Sequence, residues 1–232
     1  MNVMVDESDC HQLLSNIKKM IEEAHINDNA FYKQFRATKL CPETMKTVFQ
    51  QYYYYIRTFP QILAGASART SSELVRMKLA RTVVSELGDG IGDPHFIMFE
   101  KVLASLGVTL DPIDQADHIP EVEGLVDGLR RLLLKEPSNV GLGAHYVIEE
   151  IGLPMIVNLY EGFRLYDGWR TEDYGYFYLH MLVETDHVEW IRDAVIDVAG
   201  TGSARTEILT GAREVIALLA NFWNGLYRLS LA

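Results

Sequence analysis

From about residue 8 to residue 230 the apolar residues recur at a spacing near 3.6, and no convincing length of chain alternates at a period of two. That pattern restricts the chain to helices, each burying a stripe against its neighbours. The segments read as helices at about 8–26, 28–37, 42–68, 70–87, 94–107, 119–135, 138–166, 171–199 and 203–230. Pro42, Pro94, Pro112, Pro120 and Pro137 fall in the polar or glycine-rich turns between them. Pro60 and Pro154 fall inside long periodic runs and are expected to kink them, since each lacks an N–H and crowds the preceding turn. Ser138 and Thr171 stand at helix starts as N-caps, and Asp93-Pro94 reads as an N-cap followed by a first-turn proline. Gly107 to Pro120 is the least regular stretch. The expectation is an all-α fold of about seven to nine helices, with residues 1–232 forming one domain large enough for a real core.

Charge narrows the function. The chain carries 32 Asp and Glu against 21 Lys and Arg, a formal charge of −11. This argues against nucleic acid or an anionic membrane surface as a partner, because both require clustered cations. No run of about 18 apolar residues is present, so no bilayer span is expected. The opening MNVMVDESDCHQ lacks the basic and apolar regions of a signal peptide. Cys10 and Cys41 form no disulfide framework and suit a reducing cytoplasm, the expected location. Gly88-Asp-Gly-Ile-Gly-Asp has no preceding strand and no following Gly-Lys-Ser/Thr, so it reads as a turn rather than a phosphate loop.

Three segments concentrate chemistry. In Tyr178-Leu-His180-Met-Leu-Val-Glu184-Thr-Asp-His187, rotation of about 100° per residue places His180, Glu184 and His187 within a stripe about 60° wide. Two imidazoles and a carboxylate on one stripe suit Fe, Mn or Zn; the alternative is two partly buried histidines bonded to neighbouring acids, with Asp186 pointing away. In Val147-Ile-Glu149-Glu150-Ile, one glutamate should face an apolar interior, where an unpaired carboxylate costs several kcal/mol. Spacing leaves open which of the two it is. In Glu86-Leu-Gly-Asp-Gly-Ile-Gly-Asp-Pro-His95, the turn can bring both ends together. Glu86, one of Glu149 and Glu150, and Glu184, with His95, His180 and His187, would then form a set like that of bundled di-iron carboxylate sites.

At these residues the sequence resembles the haem-oxygenase-like di-iron oxidases and oxygenases, which share a helical fold with haem oxygenase, TenA proteins and pyrroloquinoline-quinone synthase. The family pattern is a Glu, a His several residues on, a Glu in a later core helix, and a final His-x3-Asp-x2-His. Here it is filled by Glu86, His95, Glu149, His180, Glu184 and His187, over roughly residues 45–195. Glu184 stands where most members have Asp. The choice of Glu149 follows the match of Tyr146-Val-Ile-Glu149 to the family's Tyr-Val-Leu-Glu. Phe59-Pro60-Gln61 lacks an additional Glu found in some N-oxygenating relatives, which leans towards an oxidase, desaturase or C–C-cleaving enzyme. The resemblance implies that these six residues are catalytic and hold two Fe(II) ions. It further implies O2 as co-substrate, a small amino-acid, amine or fatty-acid-like substrate in a biosynthetic pathway, an external electron donor and a homodimer.

For substrate binding the expected residues are Tyr52, Tyr55, Arg57 and Phe59 from the aromatic run 52–59, with Tyr146 and Trp190. Arg57 would clamp a carboxylate. His145, one turn from Glu149, is the replacement ligand if one assignment fails; His11, His25 and His118 are expected in solvent. Two other readings compete: a metal-free oxidase of the quinone-synthase type on the same fold, and a non-catalytic helical interaction protein. A TenA-type hydrolase would need a nucleophilic cysteine, and neither Cys10 nor Cys41 is placed for it.

Overall fold

The computed structural model describes residues 7–167 and 169–232. The start of the N-terminal stretch and the side chain of Thr171 lie outside the described residues. Among those described there are nine α-helices and no strand: α1 (Glu7–Glu23), α2 (Ala30–Ala37), α3 (Pro42–Arg69), α4 (Glu73–Glu86), α5 (His95–Ser105), α6 (Pro120–Leu134), α7 (Ser138–Phe163), α8 (Gly175–Val198) and α9 (Gly202–Ser230). Single 3₁₀ turns at Ile26–Asp28 and Thr171–Tyr174 precede α2 and α8.

Local chemistry sets most of these boundaries. Asn29, Ser72 and Thr201 cap α2, α4 and α9 by accepting the N–H of the residue three positions on, which satisfies a donor the helix leaves orphaned. Pro42 and Pro120 occupy the first helical positions of α3 and α6, where the missing N–H costs nothing. Three boundaries differ from the sequence reading. Pro137 is the N-cap of α7 and Ser138 its first residue. Thr171 opens the 3₁₀ turn rather than α8, whose N-cap is Tyr174. Pro94 is the N-cap of α5, and Asp93 is an ion-pair partner of Lys101 instead. Pro60 and Pro154 lie inside α3 and α7, and both helices run on through them.

α7 is the axis of the molecule, packing most extensively on α9 and α8 and also touching α2, α6 and α3. It is long and apolar enough to cross a membrane by length and composition, a property not anticipated from the sequence, but 72% of its apolar window is buried inside the fold. A helix hydrophobic all round belongs in the interior of a large bundle. Its crossing with α9 is backbone against backbone: a Cβ added to Gly143 would lie 2.0 Å from the carbonyl oxygen of Ile208, and one added to Gly211 would lie 1.8 Å from that of Val140. The 107–120 loop is held from α3. Gln50 pairs with both backbone groups of Asp111, while Gln51 takes the carbonyl of Asp117 and the N–H of Ile119.

Gly211→Ala is expected to lower the free energy of unfolding by about 1–3 kcal/mol or more through overpacking. An unchanged urea midpoint would show that α7 and α9 do not meet so closely.

Candidate metal centre

Glu86 ends α4 and His95 opens α5. The intervening turn is possible because Gly88, Asp89 and Gly90 all take positive φ, conformations that favour glycine. At Gly88 a Cβ would strike the carbonyl oxygen of Gly92 at 2.5 Å. The turn folds back so that His95 Nδ1 lies 3.2 Å from Glu86 Oε2, yet this buried nitrogen makes no hydrogen bond.

α8 contributes His180, Glu184 and His187, all buried on one face, while Asp186 is exposed. His180 donates its Nδ1–H to the carbonyl of Tyr176 at 2.7 Å, which leaves Nε2 as the free lone pair. His187 turns Nδ1 towards Glu149 Oε2 at 3.5 Å and Glu86 Oε1 at 3.9 Å, again without a hydrogen bond. Its Nε2 lies 3.0 Å from Ser85 Oγ. An imidazole whose far nitrogen is held by a protein oxygen is the arrangement found around metals.

On α7 the structure separates the two adjacent glutamates. Glu149 is buried and accepts from His145 Nε2 at 2.5 Å. Glu150 lies at the edge, paired with Lys18 at 2.7 Å and accepting from the Tyr146 hydroxyl at 2.9 Å. The six inward residues fall into two groups: Glu86, His95 and His180, and Glu149, Glu184 and His187. Within each group, one ligand atom per residue lies within 4.8 Å of the others.

The electrostatics show how poorly these groups are compensated by protein alone. Burial pushes the Glu149 carboxyl up, but His145 and His187 beside it outweigh that and bring it to about 2. Burial likewise raises Glu86, and His95 outweighs it. For Glu184, burial and the Glu149 charge outweigh His187 and raise it well above the ordinary carboxylate range. Burial and His95 depress His180 to about 4. For His187 burial acts downward, but Glu149 and the other two carboxylates lift it to about 9. Unbonded imidazole nitrogens aimed at carboxylates, and a buried carboxyl pushed towards its neutral form, suit a site built for divalent metal.

Beside the two groups lies a cavity enclosing about 490 Å3 of space unfilled by atoms, part of it open to solvent. Its wall includes Glu86, His95, Glu149, His180 and Glu184, together with Tyr52, Tyr55, Phe59, Phe96 and Tyr176. The Tyr52 and Tyr176 hydroxyls are 3.4 Å apart. Burial raises both phenols well above their ordinary range, so they stay protonated. Arg57, Tyr146 and Trp190 are outside this wall. Arg57 stacks on Phe96 at 4.2 Å, Tyr146 is occupied by Glu150, and Trp190 lies between the rings of His187 at 5.3 Å and the guanidinium of Arg81 at 4.2 Å. His11 and His25 are exposed. His118 differs from its expected solvated state, being stacked on Tyr54 with ring centroids 3.9 Å apart and both nitrogens buried. Cys10 and Cys41 are both free thiols.

The model of the iron-containing redox enzyme family matches residues 46–220, a span that holds all six inward residues. The chain belongs to this family. Among members of known activity, it is 28% identical to the 4-chloro-allylglycine synthase of Streptantibioticus cattleyicolor over 203 residues, 87% of this chain and 77% of that one. It is 26% identical to the 4-aminobenzoate synthase of Chlamydia pneumoniae over 208 residues, 89% of this chain and 91% of the relative. A solved domain with a haem-oxygenase-like fold from Shewanella denitrificans superposes with a TM-score of 0.76, covering 97% of this chain and 93% of its own at 14% identity. The fold is therefore haem-oxygenase-like, and the protein is an iron-containing redox enzyme.

Two features of the centre were not read from the sequence. Ser85 sits beside Glu86 but holds His187, a link no spacing rule anticipates. Gly152, one turn after Glu149, makes room for Glu184: a Cβ there would lie 2.2 Å from Glu184 Oε2. Gly152→Ala is expected to weaken metal binding at the Glu149, Glu184 and His187 group by about 10–100-fold while leaving the helical circular dichroism unchanged. Wild-type affinity in that variant would show that Glu184 is not confined by α7.

Proposed function

We propose that this enzyme holds two iron ions, one on Glu86, His95 and His180 and the other on Glu149, Glu184 and His187. With O2 as co-substrate it oxidises a small molecule in a biosynthetic pathway. The observation that carries this reading is the division of six inward residues, five buried and Glu86 part-buried, into two three-donor groups, each mixing imidazole and carboxylate. Three protein ligands per ion leave positions open for other molecules. Iron in the Fe(II) state supplies the electrons for O2 reduction, and the outcome is desaturation, hydroxylation or C–C cleavage with an external electron donor completing the cycle.

The chain's own residues define what enters. Tyr55, Phe59 and Phe96 give the cavity an apolar wall that limits the water beside the reacting centre. The Tyr52 and Tyr176 hydroxyls remain protonated and offer hydrogen-bond donors to a polar group. Three carboxylates against two dications leave the centre one positive charge, which favours a substrate carrying a carboxylate. The named products of both relatives, 4-chloro-allylglycine and 4-aminobenzoate, carry an amine and a carboxylate, in keeping with that preference.

Anaerobic Fe(II) titration followed by metal analysis should find about two irons per chain, as for bundled di-iron sites. His180→Ala and Glu149→Ala should each lower this towards one, and O2 should then produce a transient visible absorbance in the wild type alone. Absence of iron binding, or variants indistinguishable from wild type, would sink the proposal. Because His187 is protonated at neutral pH in the metal-free protein, with its group raised to about 9 by Glu149 against the opposing effect of burial, ligation displaces its proton. Iron uptake at pH 7 should acidify a weakly buffered indicator solution, and affinity should fall as pH is lowered. A pH-independent affinity would contradict this.

A further inference from the structure

We propose that His145 is a positioning residue that engages one carboxylate oxygen of Glu149 and reserves the other for metal, so that Glu149 coordinates through Oε2 alone. The inference rests on the two-metal reading above and concerns a residue outside both three-donor groups.

His145 and Glu149 are four residues apart on α7, and His145 Nε2 donates to Glu149 Oε1 at 2.5 Å. Both belong to one helix, so this bond joins no two elements and contributes nothing to assembling the bundle. Its one geometric effect is to fix the Glu149 side chain. The oxygen left over, Oε2, is the one that faces His187 Nδ1 at 3.5 Å, and His187 belongs to the same three-donor group.

The cost of placing an imidazole here argues for a purpose. His145 is fully buried, with its ring edge-on to Phe59, and its Nδ1 has no hydrogen-bond partner. A histidine in such surroundings loses solvation that an aliphatic residue would not lose. The ring also borders a second cavity, shared with Thr70 and Ser138 on the α3, α4 and α7 side. His145 therefore stands behind Glu149, away from the wall of the metal cavity. That is the position of a residue acting on a ligand and not of a ligand itself. A carboxylate with one oxygen engaged by an N–H donor is restrained from chelating one ion or bridging two, and outer partners of this kind set ligand orientation.

The test is anaerobic titration of the metal-free protein with Co(II), whose visible bands report ligand number and geometry, together with thermal melting of the metal-free chain. His145→Leu should lose about 10–100-fold in affinity for one of the two ions, as outer-partner substitutions do, and shift the bands of that ion only. His145→Gln, whose amide N–H can make the same bond, should return both the affinity and the bands to within a few-fold of wild type. Should the leucine variant fail to fold, His145→Asn takes its place, since its amide is too short to reach Glu149. A leucine or asparagine variant that titrates like wild type overturns the inference. So does a glutamine variant as impaired as the leucine one, which would make His145 a ligand, or a loss shared equally by both ions with a lowered Tm. A wild-type chain that takes up neither cobalt nor iron overturns the two-metal reading itself, and the His145 inference falls with it; Glu149→Ala, expected to lose one ion, separates these cases.

Discussion

Three carboxyl groups, those of Glu86, Glu149 and Glu184, converge in an interior otherwise built of aromatic and aliphatic side chains. A helical bundle gains stability by excluding water from that interior, and exclusion of water is what makes unpaired carboxylates costly there. The chain offsets part of this cost with imidazoles. Glu149 is flanked by His145 and His187, and Glu86 by His95. For Glu184, burial and the Glu149 charge outweigh His187, and its carboxyl is pushed towards the neutral form. The protein thus holds an arrangement that is electrostatically incomplete by itself, and the two iron ions proposed for it would complete it.

Every helix that reaches this point does so for a reason traceable to its neighbours. α7 is apolar on all sides, so it runs through the middle and presents Glu149 inwards. α8 lies along it, placing the His180, Glu184 and His187 stripe opposite. α4 and α5 are joined by a turn whose positive φ angles return the chain on itself, so that the last residue of one helix faces the first of the next. The site is therefore distributed over four helices, and the close α7–α9 crossing at Gly143 and Gly211 fixes where α7 sits.

Much of this was legible in the residue order. The period of the apolar residues and the placement of prolines located all nine helices, and the helical angle put His180, Glu184 and His187 on one face. What the order could not carry were choices made by distant partners. Glu149 and Glu150 are equivalent to any local pattern; the helices packed on α7 set its rotation, and Glu150 meets Lys18 at the edge. The run of four tyrosines covers every face of α3, so it could not say that Arg57 would stack on the Phe96 ring and not itself line the cavity. Trp190 follows His187 closely in sequence, but Arg81 on α4 covers its ring.

The approach of Gly152 to Glu184 has a consequence for how such a site can vary. The resemblance leads one to expect Asp at position 184, and the longer Glu brings its carboxylate against α7 at the one residue there that lacks a side chain. A methylene gained on one helix is matched by a methyl absent from the other. A methyl added at 152 would meet only the end of the Glu184 side chain, which can swing aside, so the packing of the two helices would survive while the carboxylate moved. The pair thus ties the length of the acid to the place of its oxygens, and a change at either position is felt at the other.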